Sequence, residues 1–275
     1  MGLRINTNLG AMASARALSN SSAEQAATFQ KLASGSRITK SADDAAGLSI
    51  SEKLKSQIRS LGQAERNAND GVSFVQVAEG GMNEIGNMLV RLRELGIQAA
   101  SDTIGDTERG FVDKEVQQLK SEVDRIANVT TFNGTPLLNG KAGHDLSFHI
   151  GAQKGDAIAF KPDTYDVQAS KLGIDGLDYK SADGARDALD VVDKAINMVS
   201  GARADLGAQQ NKLQSTINNL AIQKENYSAA NSRIRDTDVA TESSNLIKGN
   251  ILQQAGVAVL AQANTAPQSA LRLLQ

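Results

Sequence analysis

The feature that most constrains the fold is an apolar repeat of seven residues in the C-terminal half of the chain. Between about residues 183 and 236 the repeat is unbroken, and its members are Val192, Val199, Leu206, Leu213, Leu220, Tyr227 and Ile234. The positions halfway between them are Leu189, Ile196, Arg203, Gln210, Ile217, Lys224 and Asn231. Alternating steps of three and four keep one side of a helix packed along its whole length. At ~1.5 Å per residue this helix would be roughly 80 Å long, so we predict a rod-like helical bundle.

The composition excludes several classes of protein. Aromatic residues make up only 3% of the 275 residues, which disfavours a large compact core. The net charge of −2, with no basic block, gives nucleic-acid binding little electrostatic support. Without cysteine there are no disulfides, zinc–thiolate sites or cysteine nucleophiles. We find neither a secretory signal at the N-terminus nor a segment apolar enough for membrane insertion.

Two further helices precede the long repeat. From about Asp43 to Ala100 a second seven-residue repeat comprises Leu54, Leu61, Ala68, Val75, Met82 and Leu89. A third helix has the apolar positions Val112, Val116, Leu119, Val123 and Ile126. Asp43 and Asp44 are expected at the start of the second helix, where carboxylates accept free backbone N–H groups.

The segment between the third helix and the long repeat differs in kind. It is rich in Gly and Asp, and Leu146, Phe148 and Ile150 alternate with polar residues, as do Ile158 and Phe160. This alternation predicts one small β-hairpin with a loop of roughly six residues, within about 140–180. Outside the strands, we expect the segment from 136 to 181 to tolerate deletion.

Both ends of the chain carry very little charge. Between Ser243 and Leu271 the only charged residue is Lys248, and apolar residues cover more than one face of the predicted helix. A helix of this kind should be surrounded by protein, and one chain offers too few partners to cover both termini. We therefore predict contacts between copies of the chain through Leu9, Met12, Leu246, Ile251, Leu252, Val259 and Leu260.

The sequence offers little for catalysis. His144 and His149 are the only histidines, and no zinc-binding His-Glu-x-x-His motif is present. We predict no catalytic residue, no metal ligand and no cofactor.

Several short blocks in order resemble those of bacterial flagellin. They are Ile5-Asn6-Thr7-Asn8, 32–38, 43–48, 66–71, 93–95 with 98–100, Phe132-Asn133-Gly134, 232–236, 260–264 and Pro267-Gln268. The resemblance covers about residues 1–140 and 185–275. Six or more blocks in order at both ends make it specific.

The resemblance implies a structural subunit that polymerises into the flagellar filament for swimming motility. It also implies two domains: residues 1–42 pair with 236–275 as an inner coiled coil, and residues 43–235 form an outer rod of three long helices plus the hairpin. The segment from 136 to 181 is too short for a further outer domain, so the chain looks like a short, core-only flagellin.

The same resemblance implies partners and a location. The partners are other copies of the chain, the flagellar export chaperone and export apparatus, and the hook-associated junction and cap proteins. The location is the extracellular flagellum, reached through the flagellar type III route without a cleaved signal peptide. Host innate immune receptors would contact Arg91, Leu95, Gln98 and Glu115, beside which Gly96 replaces the family's usual Ala.

Two alternatives stay open from the sequence. A protein of the hook–filament junction would share both ends but match the blocks less fully. A cytoplasmic signalling coiled coil is also an Ala-, Ser- and Gln-rich helical hairpin, but it would have a symmetric tip and adjoining membrane helices. Seeded sedimentation separates a filament subunit, which polymerises, from a signalling coiled coil, which does not.

Overall fold

Six α-helices dominate the computed structural model, which describes residues 7–141 and 145–272. They are α1 (Leu9–Ser34), α2 (Ala45–Ala99), α3 (Asp106–Val129), α4 (Ala169–Leu172), α5 (Ala182–Arg235) and α6 (Val239–Arg272). The mostly α class is confirmed, and α1, α2, α3, α5 and α6 correspond to the five helical segments predicted from the sequence. Ile5, Asn6 and His144 lie outside the described residues.

Two antiparallel strand pairs follow α3. The predicted hairpin is β3 (Leu146–His149) paired with β4 (Ala157–Phe160), in a register that sets Leu146 opposite Phe160. A second pair, β1 (Thr131–Phe132) with β2 (Thr135–Pro136), was not predicted as strand. Its turn residues Asn133 and Gly134 have φ angles of 49° and 78°, which Asn and Gly adopt most readily.

The chain divides into two compact units. The first contains residues 1–56 and 226–275, and within it α1 packs against α6. The second contains residues 57–225, with parts of α2 and α5, all of α3 and both strand pairs.

The seven-residue repeat of α5 is buried as its spacing predicts. Its buried members, which α5 contributes to the core, are Val192, Val199, Leu206, Leu213 and Leu220. The polar members of the repeat are half-buried, and Lys224 forms a 2.8 Å ion pair with Glu65 of α2. Further contacts with α2 are made by Leu213, whose Cδ1 lies 3.4 Å from a Cβ built on Gly71, and by Asp193, which pairs with Arg93 at 2.6 Å.

A cluster of aromatic rings holds the strands onto α2. The ring centroid of Phe74 lies 5.6 Å from that of Phe132, 5.2 Å from Phe148 and 4.7 Å from Phe160, each edge to face. Phe160 in turn stacks on Tyr165 at 4.5 Å. Edge-to-face pairs contribute about 0.5–1.5 kcal/mol each beyond the buried area, so these few rings fix both strand pairs.

Among the described residues of the 136–181 segment outside the hairpin, many apolar side chains are part of the core. A 3₁₀ helix at Pro162–Tyr165 and the short α4 precede an irregular stretch whose apolar side chains are buried. The buried residues include Leu137, Leu138, Tyr165, Val167, Leu172, Ile174, Leu177 and Tyr179. The expectation that this segment tolerates deletion therefore does not fit the structure, because its removal would uncover the sides of α2, α3 and α5.

Candidate assembly surface

Small and polar residues form the face through which α6 packs on α1. Most of the described half-buried positions of α6 recur at alternating steps of four and three: Glu242, Leu246, Gly249, Gln253, Gly256, Leu260 and Ala263. Those of α1 follow the same spacing: Ala11, Ser14, Leu18, Ser21, Gln25, Thr28 and Leu32. No residue of α1 is fully buried. The pair thus has coiled-coil spacing but a thin apolar core.

Specific contacts set the antiparallel register of this pair. The Asn8 side-chain amide donates to the Ala263 carbonyl at 2.7 Å, near one end. At the middle, Gln25 donates to the side chain of Asn250. Lys31 and Glu242 approach to 3.9 Å near the other end.

A glycine explains how closely the two helices approach. A Cβ built on Gly256 would lie 3.1 Å from Cδ1 of Leu18, which is tighter than ordinary van der Waals contact. Glycine at this position therefore lets the leucine reach the backbone of α6.

Five of the seven predicted contact residues are exposed on the α1–α6 pair. The exposed fractions are 64% for Leu9, 58% for Met12, 61% for Ile251, 48% for Leu252 and 56% for Val259. The other two, Leu246 and Leu260, are half-buried on the α1-facing side of α6. Among the described side chains of the two helices, Phe29, Val239, Ile247 and Val257 are also exposed, and they were not predicted as contact residues.

Hydrogen bonds connect the segment between α1 and α2 with the segment between α5 and α6. Ser36 and Asp236 form an antiparallel bridge, and the Arg37 guanidinium donates to the Ile234 carbonyl at 2.9 Å. Asp238 caps α6, and hydrogen bonds from the Thr241 hydroxyl and nearby backbone amides lower the pKa of its carboxyl.

Asp43 and Asp44, which precede α2, have different roles. The Asp44 carboxylate accepts the Gly47 amide at 2.8 Å, which is the helix-start role expected from the sequence. Asp43 instead folds the preceding turn, accepting the amides of Lys40 and Thr39 at 2.9 Å. These bonds lower the pKa of the Asp43 carboxyl, and the bond from the Lys40 amide has the largest effect.

The predicted receptor-contact residues lie on neighbouring helices, but not all of them are exposed. Arg91 of α2 pairs with Glu115 of α3 at 2.9 Å and with Glu94 at 3.0 Å, and these hydrogen bonds raise the pKa of its guanidinium. Gln98 is exposed on the same helix. Leu95 is buried in the core, so its side chain is not available for a surface contact in this structure.

Gly96 fits a close contact that the sequence did not reveal. A Cβ at this position would lie 2.9 Å from Cδ2 of Leu189 and 3.3 Å from the Tyr179 hydroxyl. That hydroxyl donates to the Leu92 carbonyl at 3.0 Å, and burial raises the pKa of Tyr179 to about 12. The glycine therefore makes room for Tyr179 against α2.

We expect Gly96→Ala to lower the melting temperature, because its Cβ displaces Leu189 and Tyr179. Gly86→Ala is the matched control, since nothing lies within 4 Å of a Cβ on that glycine in the same helix. It should stabilise the protein by up to about 1 kcal/mol through helix propensity. Thermal unfolding followed by circular dichroism measures both. A higher melting temperature for both variants would contradict the close packing at Gly96.

The described part of the chain contains no cluster of three or more side chains suited to a metal ion. His149 contributes its backbone carbonyl, which accepts a 2.8 Å bond from the Asn67 side chain. Among residues 7–141 and 145–272, no helix combines the length and the apolarity that crossing a bilayer requires.

Residues 57–225 form a helical unit with a core of its own, and the α1–α6 pair exposes apolar residues. This combination is typical of a structural subunit that assembles with other copies. Family comparisons agree with this class. Residues 5–142 match the bacterial flagellin N-terminal helical region, and residues 189–274 match the bacterial flagellin C-terminal helical region. The chain belongs to the bacterial flagellin family.

Relatives cover the chain from end to end. It is 42% identical over 306 residues to flagellin of Bacillus subtilis, with 99% of this chain and 100% of the relative aligned. The crystal structure of Bacillus cereus flagellin is 32% identical, covers 60% of this chain and 94% of its own, and superposes with a TM-score of 0.52. A putative flagellar hook-associated protein from Vibrio parahaemolyticus shares the fold at 14% identity. It covers 70% of this chain and all of its own, with a TM-score of 0.60.

These findings establish a filament structural subunit of the extracellular flagellum, and its role in motility follows from the family. Flagellins are a structural protein family. Neither alternative, the hook–filament junction protein or the signalling coiled coil, is favoured.

Proposed function

We propose that residues 1–42 and 236–275 form the inner domain of the filament, and that residues 43–235 form its outer rod. The observation that carries this proposal is the exposure of Leu9, Met12, Ile251, Leu252 and Val259 on a helix pair with a thin core of its own. Burying one such side chain contributes about 1.5–3 kcal/mol. Other copies of the chain are the partners that would cover them.

Leu246 and Leu260 take a different part in the same surface. Both are half-buried at the α1-facing positions of α6, so they hold the pair together. Their role in assembly is indirect, through the register that they give the exposed residues.

Amide exchange tests this assignment. We expect α1 and α6 to exchange rapidly in the monomer, because an isolated pair with little buried apolar area is only marginally stable. In the filament the same amides should become protected. The matched control is the α5 stretch around Leu206, which is buried already and should be protected in both states. Strong protection of Leu252 and Leu260 in the monomer would contradict the assignment.

The route to the filament and the remaining partners form part of the same proposal. The subunit leaves the cell by the flagellar type III route without a cleaved signal peptide, assisted by the export chaperone and export apparatus. At its ends the filament meets the hook-associated junction and cap proteins. The low net charge and the helical assembly leave no part for nucleic acid, membrane insertion or catalysis.

A recognition role is supported by the surface shared by α2 and α3. Arg91, Gln98 and Glu115 are exposed in the isolated chain, and host innate receptors are the proposed partners. The buried Leu95 acts only by supporting the backbone beneath them. Binding of the receptor ectodomain to the monomer, with and without Arg91→Ala, tests this role, and unchanged affinity would contradict it.

A further inference from the structure

An apolar groove runs along one side of the α1–α6 pair. Its volume is about 510 Å³, and its large side chains are Leu18 of α1 with Leu252 and Val259 of α6. The rest of the lining consists of the small residues Ala17, Ala255 and Gly256 and of the polar residues Ser14, Asn20, Ser21 and Glu24. A groove with few large side chains lets the backbone of an incoming helix approach closely.

The groove continues into a more polar part of about 390 Å³. The two parts share Ser21, Glu24 and Leu252. The second part adds charged side chains of both signs, namely Lys31, Lys248 and Glu242. The apolar part is therefore the section that suits an uncharged helix face.

A protruding apolar stripe lies elsewhere on α6, outside the groove. Ile247 and Ile251 are exposed at 59% and 61%, and the exposed Ala258 continues their stripe, seven residues after Ile251 and eleven after Ile247. None of the three lines either part of the groove. We call these three residues the α6 ridge.

We infer that the apolar groove of one copy receives the α6 ridge of a second copy. This inference rests on the assembly function proposed above. If two grooves met each other, the contact would be isologous and would close after two copies. A polymer requires contacts between two different surfaces of the subunit, and a groove with a separate ridge provides such a pair.

The α6 ridge fits the groove better than the apolar residues of α1. On α1 the exposed Leu9, Met12 and Phe29 are spread over the helix, with the charged Arg16 and Glu24 between them. On α6 the two isoleucines are one turn apart, and Lys248 is the only charge between Ser243 and Leu271. An uncharged stripe brings no further charge into the groove, whose charged side chain, Glu24, lies where the apolar part meets the polar part.

Disulfide trapping tests the pairing, because the natural chain has no cysteine. Leu252→Cys is combined in one chain with Ile247→Cys, Ile251→Cys or Ala258→Cys, so that the ridge is sampled at three heights. Filaments are assembled, oxidised and separated without reductant. In the Ile247 combination the two cysteines are about 7.5 Å apart along the helix axis, too far for a bond within one chain.

At least one combination should give a ladder of covalent multimers, while each single variant should stay monomeric. A strong dimer band from Leu252→Cys alone would show groove against groove and overturn the inference. A ladder from Met12→Cys with Leu252→Cys, and from no ridge combination, would assign the groove to α1 and also overturn it. Filaments without any cross-link would likewise refute the groove–ridge contact. Failure of the unmodified chain to form filaments would instead refute the proposed assembly function.

Discussion

Leu206→Asp should abolish the cooperative thermal transition of the monomer and, with it, filament formation. Leu206 is fully buried on the seven-residue repeat of α5, in the core of the second unit. An unpaired carboxylate among packed apolar side chains costs several kcal/mol, which is comparable with the 5–15 kcal/mol that stabilises an ordinary domain.

Ala204→Asp is the matched control for this change. Ala204 is exposed on the same helix two residues away, so the same new charge remains in water. Surface substitutions usually change stability by less than about 0.5 kcal/mol. Circular dichroism melting and sedimentation after seeding measure both variants. A sharp transition and normal filaments from Leu206→Asp would show that the repeat does not hold the core together.

The double substitution Leu252→Ala with Val259→Ala should raise the critical concentration for polymerisation at least tenfold, which corresponds to about 1.4 kcal/mol per added subunit. Both side chains are largely exposed in the single chain. Because every subunit loses the same contacts to its neighbours, the loss recurs at each addition. The monomer's melting temperature should hardly change, since the core of residues 57–225 does not include these residues.

Ser244→Ala serves as the control, because Ser244 is exposed on the same helix and offers little apolar area. The critical concentration is read from the protein left in the supernatant after sedimentation of assembled filaments. If the double variant melted several degrees lower but polymerised normally, Leu252 and Val259 would belong to the subunit's own stability.

The sequence predicts the long helices well because their buried faces are recorded in a strict repeat. On α5 each step of seven places another large apolar side chain, such as Leu206 or Leu213, on the buried face. A helix must bury such a face, so the period alone identifies it.

The packing of the segment between β4 and α5 could not be predicted from a repeat. Ile174, Leu177 and Tyr179 follow no repeat, yet they are buried in the same core cluster as residues of α2, α3 and α5. Tyr179 reaches Leu92, and Gly96 makes room for it. A contact of this kind depends on tertiary packing and leaves no periodic signal.

On α6 the size of the side chains is a poor guide to the packed face. The positions facing α1 include Gly249, Gln253 and Gly256, while larger residues such as Ile251 and Leu252 are exposed. Low charge predicted apolar surface on α6 that its own chain leaves uncovered, and Ile247, Ile251, Val257 and Val259 are indeed exposed. It could not separate the two sides of the helix, because both carry apolar residues.

A density map of the assembled filament tests the central claim most directly. With neighbouring subunits in place, Leu9, Met12, Ile251, Leu252 and Val259 should be buried against other copies of α1 and α6. Residues of the second unit's core, such as Leu206, should keep the partners that they have in the single chain. A filament in which Ile251, Leu252 and Val259 still face solvent would contradict the account, because the exposed side of α6 would then have no part in assembly.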